Sequence, residues 1–310
     1  PAILAPRPGL LPGLADRAFR HPRLFVVLMI LPIALWLGIV YIGALLALLL
    51  QSFYSIDEFS GLVVPDLTLK SYAELLRPQN LDIILRTVAM ATAVTVAAAI
   101  LAFPVALYAA RHARGPWKAL FYIGVMLPLW SSYLVKVYAW KLVLAKEGIL
   151  TWAFAKLHLT WALDAVLAIP VIGGNSLSVS YLGTFLVFLY IWLPYMIIPV
   201  QAALERVPAD LLEAAADLGA SPRQSFAMIL LPLALPGIVA GSIFTFSLTL
   251  GDYIVPQIVG NSRLFIGQAV YLQQGTAGNI PLAAAFTVVP IVIMGVYLWA
   301  ARRMGAFDAL

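Results

Sequence analysis

No cysteine occurs among the 310 residues. That excludes disulfides, thiolate metal sites and cysteine nucleophiles, and it leaves the redox compartment unread. Charge is scarce: 11% of residues are Asp, Glu, Lys or Arg, against about 25% in soluble domains. A glycine-rich GxxxxGK(S/T) loop is missing, so the chain encodes no cradle for nucleotide phosphates. His21, His112 and His158 stand far apart in the sequence and on differing sides of its apolar runs, which excludes a histidine metal site. Ser131 and Ser132 have no base nearby in sequence, so no nucleophile–base pair can be placed. No Pro/Ser-rich linker sets off a soluble domain, and no internal repeat is visible. The sequence therefore names no catalytic residue and no metal ligand.

What is present is hydrophobic sequence. Apolar residues make up 63% of the chain, with a mean hydropathy of +0.97. A soluble fold of this size cannot cover that much apolar surface, so the chain reads as an integral membrane protein. Leu24 to Ile56 carries no charge. It is far longer than a signal-peptide core and reads as a retained span. Residue 1 is Pro, so further residues are expected before it. Spans are predicted at about residues 24–50, 87–110, 119–140, 181–203, 233–255 and 281–301. The fold class is an all-α membrane protein of six transmembrane helices. The connector 141–180, with Trp152, Phe154 and Trp161, predicts short helices at the membrane interface. The Gly/Asn/Gln-rich stretch 260–280 predicts a loop.

Six spans put both ends on one side, and the basic residues say which. Arg7, Arg17, Arg20 and Arg23 lead in. Arg111, Arg114 and Lys118 crowd the loop after span two, and Arg302 and Arg303 close span six. The loop before span six carries Arg263 alone. Both ends are therefore cytoplasmic. The net charge of +5 reflects these loops and is no sign of nucleic-acid binding. The domain reading is a cytoplasmic basic segment at 1–23, a six-span domain at 24–303 and a cytoplasmic tail at 304–310. A weak amphipathic pattern covers Leu10 to Phe19.

Between spans four and five lies a polar island, Glu213 to Ile238, with an unusual residue order. A small-residue helix face (Glu213, Ala214, Ala215) runs into Gly219, which can take the left-handed conformation that ends a helix. Ser221 suits an N-cap, Pro222 the first helical position, and Gln224 completes a capping box. The pattern predicts two short helices joined at a glycine, with Leu211, Leu212, Ala215 and Leu218 sharing one face. A merely amphipathic connecting helix leaves the second capped turn unexplained. A rigid, alanine-faced bend in the cytoplasm offers another protein a surface to grip.

Glu213-Ala214-Ala215, three residues, Gly219, nine residues, then Ile229-x-Leu231-Pro232 resembles the EAA loop of permease subunits of bacterial ABC importers. Leu127 to Ser131, Tyr138 to Lys141, Glu147 to Leu150 and Gly251 to Pro256, followed by Gly260 and Ile266-Gly267, are similar to the spermidine/putrescine (PotB-like) branch. The resemblance covers about residues 24–303 and leaves out the lead-in. It implies the type I importer permease fold in the bacterial inner membrane, N-in and C-in. It implies pairing with a second permease, in this branch a homologue, above a dimer of ATP-binding subunits that hold ATP and Mg. A periplasmic binding protein would deliver the solute. Loop 204–232 would be the element that docks on the ATPase, a role carried to Glu213, Ala214, Ala215, Gly219, Ala220 and Ser221. The implied solute is a polyamine or a related small cation. Similar chains serve 4-aminobutyrate, other amino acid-like solutes, phosphonates or iron complexes.

Charges in or near spans are expensive and are functional candidates by default. Asp252 follows an uncharged run from Gln224. It either attracts a cationic solute or is an interfacial acid, wetted or paired with Arg263 or Lys136. Lys136 either lines the same path or snorkels outward. Trp130, Tyr133, Tyr138, Trp140, Tyr253 and Tyr271 can stack on an ammonium group or belong to the interfacial aromatic belt. Arg86 reads as a membrane anchor. A secondary transporter would need a relay of carboxylates in the spans, and Asp252 is the one candidate. A scaffold without transport leaves the spacing of the polar island unexplained.

Overall fold

Proline suits the first turn of a helix, and helices here start at Pro78, Pro116 and Pro222. The computed structural model describes residues 22–57 and 59–303. Most of the basic lead-in, the pattern at Leu10 to Phe19 and the tail 304–310 lie outside them.

The first helix, α1 (Val26–Gln51), carries a π-turn at Trp36–Ile42. A small antiparallel hairpin follows, β1 (Ser55–Ile56) with β2 (Val63–Val64), and then α2 (Lys70–Leu75). Next comes α3 (Pro78–Arg111), 34 residues long and so about 51 Å, well beyond the ~30 Å hydrocarbon layer. Span two therefore starts earlier than the apolar run suggests. Pro78 at the first helical position and the extended Arg77 (ψ 147°) set its start, not hydrophobicity.

Span three is not one rod. Its halves, α4 (Pro116–Trp130) and α5 (Tyr133–Val143), meet at 97°. Ser131 and Ser132 are extended, with ψ of 150° and 130°. The Pro128 carbonyl, freed by the break, accepts Ser131 Oγ at 2.9 Å and Lys136 Nζ at 2.8 Å. A lysine on the last carbonyls of a helix also suits its dipole. Lys136 thus fastens the elbow.

The connector holds two short helices, α6 (Ile149–Lys156) and α7 (Thr160–Leu167), with Trp152 and Trp161 exposed. Ser180 caps α8 (Tyr181–Glu205), its Oγ accepting Gly183 N at 3.0 Å. After α9 (Ala209–Asp217) comes α10 (Pro222–Gly251), 30 residues with a π-turn at Phe226–Leu230. The second arm of the glycine bend is therefore no separate short helix: it is the start of span five. α11 (Ile254–Ile258) and α12 (Ile266–Gln274) follow, so the stretch read as a loop contains a helix. α13 (Ile280–Arg303) ends the described chain.

Helix α8 is the centre, packed on α3 and α10. In lipid, apolar surface gives little drive for helix association, and close backbone approach matters more. Gly237 and Gly241 provide it. A Cβ at Gly237 would lie 2.5 Å from the Pro199 carbonyl oxygen, and one at Gly241 would lie 2.6 Å from Met196 Sδ. In the most apolar window of α8, 61% of residues are buried, against none in α1. Five described helices are long and apolar enough to cross a membrane, and the bent pair makes six. The all-α, six-span reading stands.

Candidate coupling segment and translocation site

The polar island folds as a fully bonded bend. Asp210 lies in the first turn of α9, where a negative charge meets the positive end of the dipole. At the far end Ala220 N donates to Ala215 O and Gly219 N to Ala216 O, both at 2.9 Å. With Gly219 at φ +82° this is a Schellman ending, which only a residue at ease in the left-handed region closes without strain. Ser221 then starts α10: its backbone N donates to Gln224 Oε1 at 2.8 Å, and its Oγ accepts Gln224 N at 3.4 Å.

Glu213 and Ala214 are exposed, while Ala215 is buried. The proposed apolar stripe is divided. Leu218 is 89% exposed and Leu211 is exposed as well, leaving Ala215 and the half-buried Leu212 turned inward. A stripe at helical spacing fixes which residues align, not whether this chain covers them.

The base of the segment is braced from the basic loop. Arg111 Nη2 donates to the Val207 carbonyl at 2.8 Å. Glu205, last residue of α8, accepts on one oxygen from three donors: Lys118 Nζ at 2.8 Å, Tyr122 OH at 3.1 Å and Gln201 Nε2 at 3.2 Å. The sequence reading took Arg111 and Lys118 as markers of sidedness and passed over Glu205. An acid closing an apolar run, next to Arg206, was the available signal.

At the other end of α10, Asp252 Oδ1 accepts Ile254 N at 2.8 Å and Val255 N at 3.0 Å, starting α11. Its Oδ2 accepts the hydroxyl of Tyr133. Among the described residues neither Arg263 nor Lys136 pairs with it. A carboxylate has about four lone-pair sites, so one remains beyond these three donors. Asp252 faces a cavity of about 400 Å³ with Tyr133, Trp192, Ser247, Tyr253 and Ile254. Tyr133 stacks on Trp192 with centroids 5.9 Å apart, and Tyr253 stacks on Tyr271 at 5.2 Å. α12 presses on this site through Gly267, where a Cβ would lie 2.7 Å from the Asp252 carbonyl oxygen.

Of the pathway candidates, the fold joins Asp252 and Tyr253. Trp130 (82% exposed) and Tyr138 (55% exposed) are uncovered by this chain, Lys136 holds the elbow, and none of these three lines the cavity. Tyr133, read from the sequence among the aromatics able to stack on an ammonium, lines the cavity; Trp192 was missed, being one of several aromatics in the apolar run 181–203 with nothing there to set it apart. Arg86 is no surface anchor. Its side chain is 12% exposed, bonded to Asp82 and, at 2.7 Å, to the Leu264 carbonyl.

A sequence profile of the binding-protein-dependent transport system inner membrane component family matches residues 102–306. An Escherichia coli (strain K12) inner membrane ABC transporter permease protein, YdcU, is 59% identical over 98% of this chain and 97% of its own. The E. coli spermidine/putrescine transport system permease protein PotB is 30% identical over 89% of this chain and 97% of its own. In the crystal structure of a bacterial alginate ABC transporter with a pentasaccharide-bound periplasmic protein, one chain superposes with a TM-score of 0.67 at 16% identity, over 94% of this chain and 96% of that one. The capped bend, the helical bundle around α8 and these matches agree: the chain belongs to the binding-protein-dependent transport system inner membrane component family, as a non-enzymatic ABC transporter permease of the inner membrane.

Proposed function

We propose that this chain is half of the translocation pathway of an ATP-driven importer for small organic cations of the polyamine type. The observation that carries the reading is the Asp252 carboxylate with a spare acceptor site, facing a cavity walled by Tyr133, Trp192 and Tyr253. A carboxylate beside aromatic faces suits an ammonium group by charge and by cation–π attraction. The likeness to PotB supports the same solute class.

The partners in this reading are a dimer of ATP-binding subunits, a second permease homologous to this chain, and a periplasmic binding protein. ATP and Mg belong to the ATP-binding subunits. Glu213, Ala214, Ala215, Gly219, Ala220 and Ser221 form the grip of loop 204–232 on the ATPase. Small alanines let backbones approach closely, Glu213 can accept charge-assisted bonds from a partner, and the Gly219–Ser221 bend fixes the direction into α10.

The test has two arms. A thermal-shift screen of the cognate binding protein against amines and amino acids identifies the solute, and a protein stabilised by no amine sinks the polyamine reading. In proteoliposomes holding the full complex, Asp252→Asn should slow uptake of a spermidine-like cation while binding-protein docking persists. If Asp252→Asn transports at the unmodified rate, the carboxylate serves only to cap α11.

A further inference from the structure

Helix α4 bonds a carboxylate near one end and, at the other, leads through the elbow to a second carboxylate contact made by the first residue of α5. Near its cytoplasmic end, Lys118 and Tyr122, one turn apart, bond Glu205 at the base of the coupling segment. Just past its far end, Tyr133 bonds Asp252. Along its length α4 has no fully buried residue. Phe121 and Val125 rest, half-buried, on the cluster of Ala98, Phe103, Met196 and Val200. Fifteen residues make a rod of about 22 Å. The elbow at its end is fastened, because Lys136 and Ser131 both bond the Pro128 carbonyl. A rod held weakly along its sides and firmly at its ends passes displacement from one end to the other.

We propose that α4 is a connecting rod. Lys118 and Tyr122 are positioning residues through which movement of the coupling base sets the Tyr133–Asp252 contact. The inference rests on the coupling role proposed for loop 204–232. It gives that loop a second route to the cavity, besides the continuous helix α10. Coupling of this kind is a difference in free energy between two arrangements that both sites bias. Glu205 is well placed for this, since it closes α8 and lies four residues before α9 begins.

This chain has no cysteine of its own, so labelling resolved on this chain reports a single introduced thiol. Ser247→Cys puts one thiol in the cavity wall, and its rate of reaction with a maleimide is read in the full complex, with and without a non-hydrolysable ATP analogue. We expect nucleotide to change that rate by about tenfold, within the usual range of allosteric coupling. Lys118→Ala and Tyr122→Phe should cut the change to below about twofold. The exchange Lys118→Glu with Glu205→Lys should restore it, which a merely structural loss would not allow. Where Lys118→Ala fails to assemble, Tyr122→Phe, which removes one hydroxyl, carries the test. A full nucleotide response in assembled Lys118→Ala, or an exchange that leaves the response lost, overturns the rod. Gly219→Val separates the two readings. If it abolishes the response while the Lys118 variants keep it, the rod alone is wrong. If it keeps the response as well, the coupling role of the loop has failed.

Discussion

The hydroxyl of Tyr133 donates to the carboxylate of Asp252, and each of these residues lies just beyond a helix end, Tyr133 past the elbow after α4 and Asp252 past the last turn of α10. Two spans that are distant in sequence thus meet at one bond, on the wall of the cavity.

Tyr133→Phe deletes that donor and keeps the ring stacked on Trp192. A hydrogen bond to a charged group contributes about 1.5–3 kcal/mol. Uptake by reconstituted complexes should therefore fall about ten- to a hundredfold, with assembly intact by co-purification. Unchanged uptake would mean that the contact plays no part in transport.

Gly267→Ala places a methyl 2.7 Å from the Asp252 carbonyl oxygen. Overpacking against backbone costs about 1–3 kcal/mol, so the melting temperature of the detergent-solubilised complex should drop and uptake with it. Gly295→Ala, where nothing lies within 4 Å, is the matched control and should melt with the parent. Equal melting of both variants would show that α12 yields easily.

Ser221→Ala removes half of a capping box, a loss of about 1 kcal/mol. Glu213→Lys reverses an exposed charge and leaves the fold alone. Both should raise ATP hydrolysed per solute moved, with the permease still inserted and still co-purifying with its ATPase. A wild-type ratio in both variants refutes the grip assigned to this bend.

Arg86→Met cuts the tie from α3 to the Leu264 carbonyl, leaving the bond from Ile266 N to Thr87 Oγ1 at 3.0 Å. Loss of one charge-assisted bond, about 1.5–3 kcal/mol, should show as faster hydrogen exchange confined to residues 259–266. Exchange that is unaltered there, or raised everywhere, would count against a local clasp.

Local chemistry was the legible part of the sequence. The Gly219–Ser221 bend rests on bonds between residues at most five positions apart, so its caps could be read before any fold was known. Apolar length gave the spans, but not the elbow at Ser131–Ser132, because the run of hydrophobic residues continues through it. Composition misled at 260–280, where Gly267 serves close packing inside a helix and not a turn. The Lys118–Glu205 and Tyr133–Asp252 contacts join residues 87 and 119 positions apart. No periodicity or motif reports such pairs. Trp130, Tyr138 and Lys136 carry the right chemistry for a cation path, and it is their placement outside the Asp252 cavity that separates them from Tyr253.

The unburied first span has a consequence of its own. Its 26 residues make a helix of about 39 Å, longer than a hydrocarbon layer of ~30 Å. Such a mismatch is relieved by leaning the helix over or by thickening the lipid around it. Among the described residues, its main contact with the rest of the chain runs from Gly43–Gln51 to α13. Among the described residues its opposite half joins no packed cluster, which leaves that apolar surface for lipid or a neighbouring subunit's helix to cover. α1 is thus the span whose lean this chain's own packing constrains least.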